Sequence, residues 1–339
     1  MASAPRYQNL SKNPVMTMNE DNGNWLEAVR CDSCGADGYA KVYEFHVSGC
    51  GLAVVRCAAC GLHYLNPRPT TEALARLYGE NYYSYRLDDD GEDAAKPADL
   101  KERLRASVMH AVLGYPADAK TPLPNIPSWA AGFLAANVAV PAFKPGGRLL
   151  DVGCGAGEKL LGFKSLGWDV YGLEFSEVAA LEGAKRGLQI DICGLDAAPH
   201  PDGFFQAVTF YHSLEHLPSP ARGLAAARRL LAPGGQALIV VPNFGSLERR
   251  VFGKSWGWMQ IPFHFYHFDK KSLPRMILEA GFAIEQVGYS FSGQSVNVSA
   301  KGAFRPLNPA LGKLNSALDV LCALAGSGKA LIVSARNPG

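Results

Sequence analysis

The sequence predicts an α/β protein: a mostly parallel sheet flanked by helices, with a small cysteine-bound unit ahead of it. Three observations carry that expectation. Beyond Lys144, short apolar runs alternate with helix-length amphipathic segments, the pattern of strands buried on both faces. One of these runs opens into Gly153-Cys154-Gly155-Ala156-Gly157. Four of the eight cysteines fall into two C-x-x-C pairs early in the chain.

The chain has 339 residues and is 48% hydrophobic, enough to bury a full α/β core and leave material for a second unit. Its 33 Lys and Arg against 31 Asp and Glu give a net charge of +2, too little to steer the whole molecule toward nucleic acid or anionic lipid. Residues 1–25 are polar and aperiodic and are expected to be disordered. They lack the basic and apolar regions of a secretory leader, and no apolar run reaches the roughly 20 residues of a membrane span, so a cytoplasmic protein is expected.

The cysteine unit is expected over 26–72, where Asn66-Pro67-Arg68-Pro69-Thr70-Thr71 punctuates the exit into a short helix through Leu74, Leu77 and Tyr78. A helical linker or cover over 73–129 follows. It holds an acidic loop from Asp88 to Pro97 and helical patterns at Leu100–Leu113 and Trp129–Val140, joined by the proline-rich Tyr115–Pro127. The α/β domain occupies 130–339, with strands expected at Arg148–Val152, Trp168–Glu174, Leu188–Ile192, Gln206–Phe210, Gln236–Pro242, Phe282–Tyr289 and Lys329–Arg336. The long connection Ser290–Gly328 carries Leu311, Leu314, Leu318 and Leu321 at helical spacing.

Cys31-x-x-Cys34 and Cys57-x-x-Cys60, separated by 22 residues, can deliver four thiolates tetrahedrally to one Zn²⁺. Four protein thiolates close the coordination sphere, so this metal is expected to be structural and to take no part in chemistry. Cys50, His46 and His63 are spare donors, better read as packed or solvated side chains.

In Leu149-Leu150-Asp151-Val152-Gly153-Cys154-Gly155-Ala156-Gly157, a buried strand runs into a helix through glycines that let backbone approach a ligand. The third glycine arrives one residue earlier than in a dinucleotide fingerprint, and Glu158 stands where a pyrophosphate would be repelled. Seventeen residues after Gly157, Glu174 ends the next strand, placed to accept hydrogen bonds from both hydroxyls of an unmodified ribose. A nucleoside-type cofactor without pyrophosphate is expected.

That loop, Glu174, and the Ala232-Pro233-Gly234-Gly235 turn before the fifth strand resemble the class I S-adenosylmethionine-dependent methyltransferases, over roughly residues 130 to 338. The resemblance implies a Rossmann-like seven-stranded sheet, with S-adenosylmethionine as cofactor. It implies that Asp151, Gly153, Gly155 and Gly157 line the methionine and ribose moieties, Glu174 the ribose hydroxyls, and Leu195 with Asp196 the adenine. Phe205-Gln206 departs from the family's frequent Phe-Asp, at a position read as structural.

Directly after the fourth strand comes Tyr211-His212-Ser213-Leu214-Glu215-His216-Leu217, and open α/β sheets bind ligands at the carboxyl ends of their strands. Methyl transfer from a sulfonium needs the acceptor aligned and its proton removed. His216 is the candidate base, with Glu215 or His212 to orient it or hold the acceptor. The segment resembles that of zinc-containing sugar C-methyltransferases, whose Glu-His pair serves in deprotonation; this implies that role for Glu215 and His216. The alternative is that both residues bond to the helix starting at Ser219 and shape the pocket.

The connection after the fifth strand is dense in aromatics, from Phe244 through Trp256 and Trp258 to Pro262-Phe263-His264-Phe265-Tyr266-His267-Phe268. Its three readings are an acceptor-pocket wall, ordinary packing of an insertion, and shallow membrane docking. Relatives commonly have Pro-Arg-His where this chain has Pro262-Phe263-His264, so no preference for an anionic acceptor carries over. Candidate acceptor contacts are His264, His267, Tyr211, Asn243, and Tyr82 with Tyr83. The last pair follows Leu65-Asn66-Pro67-Arg68-Pro69-Thr70, which resembles the zinc-ribbon linker of bacterial methyltransferases of sugar, cell-envelope or secondary-metabolite pathways.

A small-molecule acceptor, such as a sugar, nucleotide-sugar or secondary metabolite, is therefore expected. Two alternatives remain: a ribosomal RNA base methyltransferase that reads RNA through its zinc ribbon, and a non-catalytic cofactor-binding scaffold. The first predicts a basic channel that the near-neutral charge does not supply, and an Asn-Pro-Pro-Tyr type motif that Tyr211-His212-Ser213-Leu214 replaces. The intact glycine loop and polar cluster speak against the second. Oligomeric state and the methylated atom type leave no mark in the sequence.

Overall fold

A computed structural model describes residues 25–78, 100–116, 137–290, 321–323 and 325–339. Two β layers organise them. The larger sheet has seven strands: β6 (Arg148–Val152), β7 (Asp169–Glu174), β8 (Gln189–Ile192), β9 (Phe205–Tyr211), β10 (Leu231–Pro242), β12 (Ala283–Tyr289) and β13 (Ala330–Arg336). Their spatial order is β12-β13-β10-β9-β6-β7-β8, with β8 through β10 parallel and β13 antiparallel to both of its neighbours. All seven expected strands form. The fifth begins earlier than expected because Leu231 already pairs with Phe205, and the register slips between Leu231 and Gln236 across the Pro-Gly-Gly turn.

The central strand explains its own sequence. Leu149 and Leu150 are fully buried on opposite faces, one in each hydrophobic cluster flanking the sheet. Helices α3 (Glu158–Ser165), α4 (Glu177–Ala184) and α5 (Pro220–Leu230) complete the crossovers. Ser176 and Ser219 accept hydrogen bonds from Ala179 N and Arg222 N at the starts of the latter two. The order reverses around β6, so the carboxyl ends of β6 and β9 face the crevice where doubly wound sheets take ligands.

The smaller sheet is built by the early chain. β2 (Tyr39–Val47) and β3 (Cys50–Cys57) form a hairpin whose Ser48-Gly49 tip has positive φ at both residues, and β4 (His63–Leu65) pairs with β3. A fourth strand comes from the other half of the chain: β11 (Tyr266–His267), within the aromatic connection, pairs with β4. Ribbon and α/β domain therefore share one sheet. β1 (Leu26–Glu27) pairs separately with β5 (Arg68–Pro69).

In the linker, α1 (Thr71–Tyr78) and α2 (Leu100–Ala111) form where expected. Of the helix expected at Trp129–Val140, only Asn137 to Val140 are among the described residues, and they are not helical. Asn137 to Val140 are turn and extended chain, because Asn137 Oδ1 accepts from Tyr289 N at 2.9 Å and Ala139 O accepts from Tyr211 Oη at 2.5 Å. Residues 1–24, Tyr82, Tyr83, residues 129–136 and Leu311 to Leu318 lie outside the described residues. Among the described residues, no helix is long and apolar enough to cross a membrane.

Candidate active site

The glycine loop leaves β6 with positive φ at Gly153, Gly155 and Gly157. A Cβ at Gly153 would sit 2.8 Å from Cβ of Ser213, so the loop and the segment after β9 are in direct contact. Glu174 is 6% exposed, and its carboxylate accepts from Gly155 N at 2.9 Å, Phe175 N at 2.9 Å and Ser176 N at 3.0 Å. Burial pushes its pKa up against these three donors.

Asp151 is buried at the end of β6 and accepts from Thr209 Oγ1 at 2.7 Å. Burial raises its pKa to about 7, with the Thr209 hydrogen bond opposing. Leu195 is buried in a short 3₁₀ turn, whereas its neighbour Asp196 is exposed and paired with Arg222 at 2.8 Å. Of the expected cofactor residues, the loop, Asp151 and Glu174 converge around Gly155, while Asp196 is turned to solvent.

The segment after β9 is a second cluster. His212 has a left-handed backbone, φ 53°, uncommon for a residue with a side chain, and its ring stacks on Trp258 at 5.1 Å. Glu215 is 1% exposed, and neither carboxylate oxygen has a hydrogen-bond partner among the described residues. His212 Nδ1 lies 3.5 Å from its Oε1. Ligand-type atoms of Glu215, His216 and His264 all lie within 4.8 Å of one another, a spacing that a cation could bridge. The rings of His216 and His264 meet edge to face at 4.6 Å. Burial lowers the pKa of His216, with the nearby Glu215 opposing, and lowers that of His264 further, so both imidazoles are neutral at neutral pH.

His264 Nδ1 bonds to Trp258 O at 2.9 Å, which fixes the ring. His267 is buried between Phe244 and His264, one step farther from Glu215, and burial drives its pKa to about 3. Tyr211 and Asn243 are engaged elsewhere. The Tyr211 hydroxyl bonds to Ala139 O, and the Asn243 amide joins Gly328 O at 2.7 Å to Gly245 N at 2.9 Å. The structure thus brings Glu215, His216 and His264 together, with His212 beside them.

The four cysteines also converge. Cys31 and Cys60 sulfurs lie 3.3 Å apart, those of Cys34 and Cys57 3.6 Å apart, and all four within 4.8 Å of one another. Each pair is followed by a glycine of positive φ, Gly35 and Gly61, whose amide bonds back to the carbonyl of Cys31 or Cys57. Such paired knuckles aim four sulfurs at one point, a donor set that fits a tetrahedral thiolate-bound metal.

Several residues were not singled out from sequence. Thr209 bonds to Asp151, Asp32 inside the first knuckle bonds to Ser219 and Ala221, and Arg68 bonds to Pro218 O. The repeated Cys-x-x-Cys-Gly was the one available local signal, whereas the others depend on distant partners.

A family described as a methyltransferase domain matches residues 128–287. A ubiquinone biosynthesis O-methyltransferase of Burkholderia pseudomallei is 30% identical over 159 residues, covering 43% of this chain and 68% of that one. The chain belongs to the class I S-adenosylmethionine-dependent methyltransferases. The enzyme of the same description from Thiobacillus denitrificans is 34% identical, covering 42% of this methyltransferase and 67% of itself. A solved S-adenosylmethionine-dependent methyltransferase of Thermotoga maritima superposes with a TM-score of 0.44 at 21% identity, over 61% of this chain and 89% of that one. The family match begins downstream of the cysteine ribbon, which this methyltransferase carries in addition.

Proposed function

We propose that this methyltransferase methylates a small-molecule acceptor such as a sugar, nucleotide-sugar or secondary metabolite, and that His216 removes the acceptor's proton. S-adenosylmethionine, when bound, supplies an electrophilic methyl group on a sulfonium, leaving the protein to orient the acceptor and take its proton. Asp151, the Gly153–Gly157 backbone and Glu174 would hold the cofactor, with Leu195 against the adenine. A His216 ring nitrogen would accept the proton that the acceptor loses on methylation. The resulting imidazolium is stabilised by the carboxylate of Glu215.

The observation that supports this reading is the Glu215–His216–His264 cluster, within 4.8 Å and joined to the cofactor loop by the Ser213–Gly153 contact. The relatives' description as O-methyltransferases favours a hydroxyl acceptor. His264, His267 and the Trp258 wall would bound the acceptor side, with Tyr211 and Asn243 shaping the strand ends behind it. The four cysteines would hold one structural Zn²⁺, and a cytoplasmic location belongs to the same reading.

The test is a screen with radiolabelled cofactor against hydroxylated aromatics and nucleotide-sugars, followed by His216→Gln on the best acceptor. Loss of a general base predicts a fall in kcat of about 10²–10⁴ with cofactor affinity retained. Because burial lowers the His216 pKa, wild-type turnover should persist below the ordinary imidazole value of about 6.5. Full turnover by His216→Gln at saturating cofactor removes the base assignment.

A further inference from the structure

The turn carrying Glu215 and His216 is held from outside the family domain, at three points, by the cysteine ribbon. First, Glu215 O accepts from Phe265 N at 2.9 Å, and Phe265 O accepts from Leu65 N at 2.8 Å. Leu65 ends β4, so the Glu215 backbone stands two hydrogen bonds from a ribbon strand. Second, Pro218 O accepts from Arg68 Nη1 at 2.5 Å and from Tyr266 Oη at 3.1 Å. The Arg68 guanidinium also reaches Tyr266 Oη at 3.1 Å, pairs with Glu27 at 2.9 Å, and lies 5.2 Å over the Phe265 ring. Third, Asp32, between Cys31 and Cys34, accepts from Ser219 Oγ at 2.6 Å and Ala221 N at 2.9 Å. A carboxylate from the cysteine knuckle thus sits at the N-terminus of α5, the helix that follows the turn, where negative charge is favourable.

These contacts are unlike ordinary domain packing in where they fall. Arg68 is 9% exposed, and its fixed, planar donor fork serves a carbonyl two residues beyond His216. At the other end of the turn, Ser213 is fixed against Gly153 of the cofactor loop. One end of the segment is therefore set by the cofactor loop and the other by the ribbon. An error of about 1 Å in such a segment is enough to cost a large part of the rate.

We propose that Arg68 and Asp32 are positioning residues: through them the ribbon sets the placement of Glu215 and His216 against the cofactor loop. This rests on the reading of that pair as the acceptor-side machinery, although the mechanical part stands apart from it. The ribbon then governs turnover of bound cofactor and leaves cofactor binding to the family domain. The cysteine cluster acts through Asp32, held in place by its two flanking ligands.

The experiment uses the full metal-loaded chain, with metal content measured for every variant. In Arg68→Met and Asp32→Asn, amide exchange over residues 213–221 should rise about tenfold, the effect of losing one hydrogen bond, while residues 153–165 change by less than about twofold. The dissociation constant for S-adenosylhomocysteine should stay within about threefold of wild type, while kcat for the screened acceptor falls about tenfold or more. Tyr266→Phe, which deletes only the hydroxyl sharing Pro218 O, gives a smaller change of the same pattern and serves if Arg68→Met does not fold. Unchanged exchange over 213–221, exchange rising equally across both segments, or cofactor affinity falling in step with kcat overturns the proposal. If His216→Gln proves fully active, the base reading fails while the exchange result still decides the clamp.

Discussion

Two glutamates at the mouth of the cleft are buried to nearly the same extent and treated in opposite ways. Glu174, 6% exposed, receives three backbone N–H donors from Gly155, Phe175 and Ser176. Glu215, 1% exposed, receives none among the described residues; imidazoles surround it instead, His212 at 3.5 Å and His216 and His264 within 4.8 Å. A buried carboxyl without hydrogen bonds costs stability, and folded proteins retain few such groups. The carboxylate of Glu174 is held in place by its own backbone surroundings, which on the proposed function presents it to the cofactor ribose. On the proposed function, Glu215 would meet its partners with the acceptor or during the reaction, including the imidazolium of His216.

The largest effect should come from the satisfied member. On the proposed cofactor placement, Glu174→Ala removes the acceptor for the ribose hydroxyls, and it orphans three backbone donors. We expect S-adenosylhomocysteine affinity to fall by about 10²–10³, with a lowered melting temperature in the free protein. Titration calorimetry and thermal melts measure both. Glu215→Gln in the same assay should change cofactor affinity by less than about threefold, since nothing in the cofactor loop bonds to it. Equal losses for the two variants would erase the distinction between a cofactor carboxylate and an acceptor carboxylate.

Much of that distinction was legible in the sequence, and the reason part was not is physical. The seven strands announce themselves because a strand buried on both faces must be apolar throughout, as Leu149-Leu150 and Leu238-Ile239-Val240-Val241 are. The glycine loop, Glu174 and the cysteine pairs were legible because their partners are close in sequence or fixed in spacing. Arg68 and Asp32 were not, because their partners lie 150 and 187 residues away and neither sits in a motif that demands it. The extended course of Asn137 to Val140, where a helix was expected, was not legible either, its contacts with Tyr211 and Tyr289 being distant in sequence. Asn243 and Tyr211 were proposed from their places after strands, which fix where a side chain begins but not which way its polar end turns.

A smaller effect should separate Asp151 from both glutamates. Its folded pKa is raised by burial to about 7, above an unfolded value near 3.8. The native state therefore keeps a proton that the unfolded chain has lost, so stability is highest below the unfolded pKa. It falls as pH rises from there through about 7 and then levels off. A cationic ligand reverses the preference by favouring the ionised carboxylate. Binding of S-adenosylmethionine without acceptor should therefore strengthen roughly tenfold between about pH 6 and about pH 8, then level off. Asp151→Asn should flatten the profile. A slope that survives the substitution points instead to Glu174, whose pKa is also raised by burial.

The smallest expected effect tests the unsatisfied member directly, and its sign is unusual for a buried site. Glu215→Gln keeps volume and shape but replaces a carboxyl without hydrogen bonds by a neutral amide, whose burial costs less. What it gives up is the 3.5 Å contact with His212, longer than a hydrogen bond, and the electrostatic contact with a neutral His216. The first effect outweighs the second, so the free protein should gain about 1 kcal/mol, a melting temperature higher by about 2–4 °C, while losing turnover. Stability exchanged for activity at one residue is what a group held ready for a reacting partner should show. If Glu215→Gln instead lowers the melting temperature as Glu174→Ala does, Glu215 belongs to the architecture of the free protein, and its difference from Glu174 is one of wiring without a difference of task.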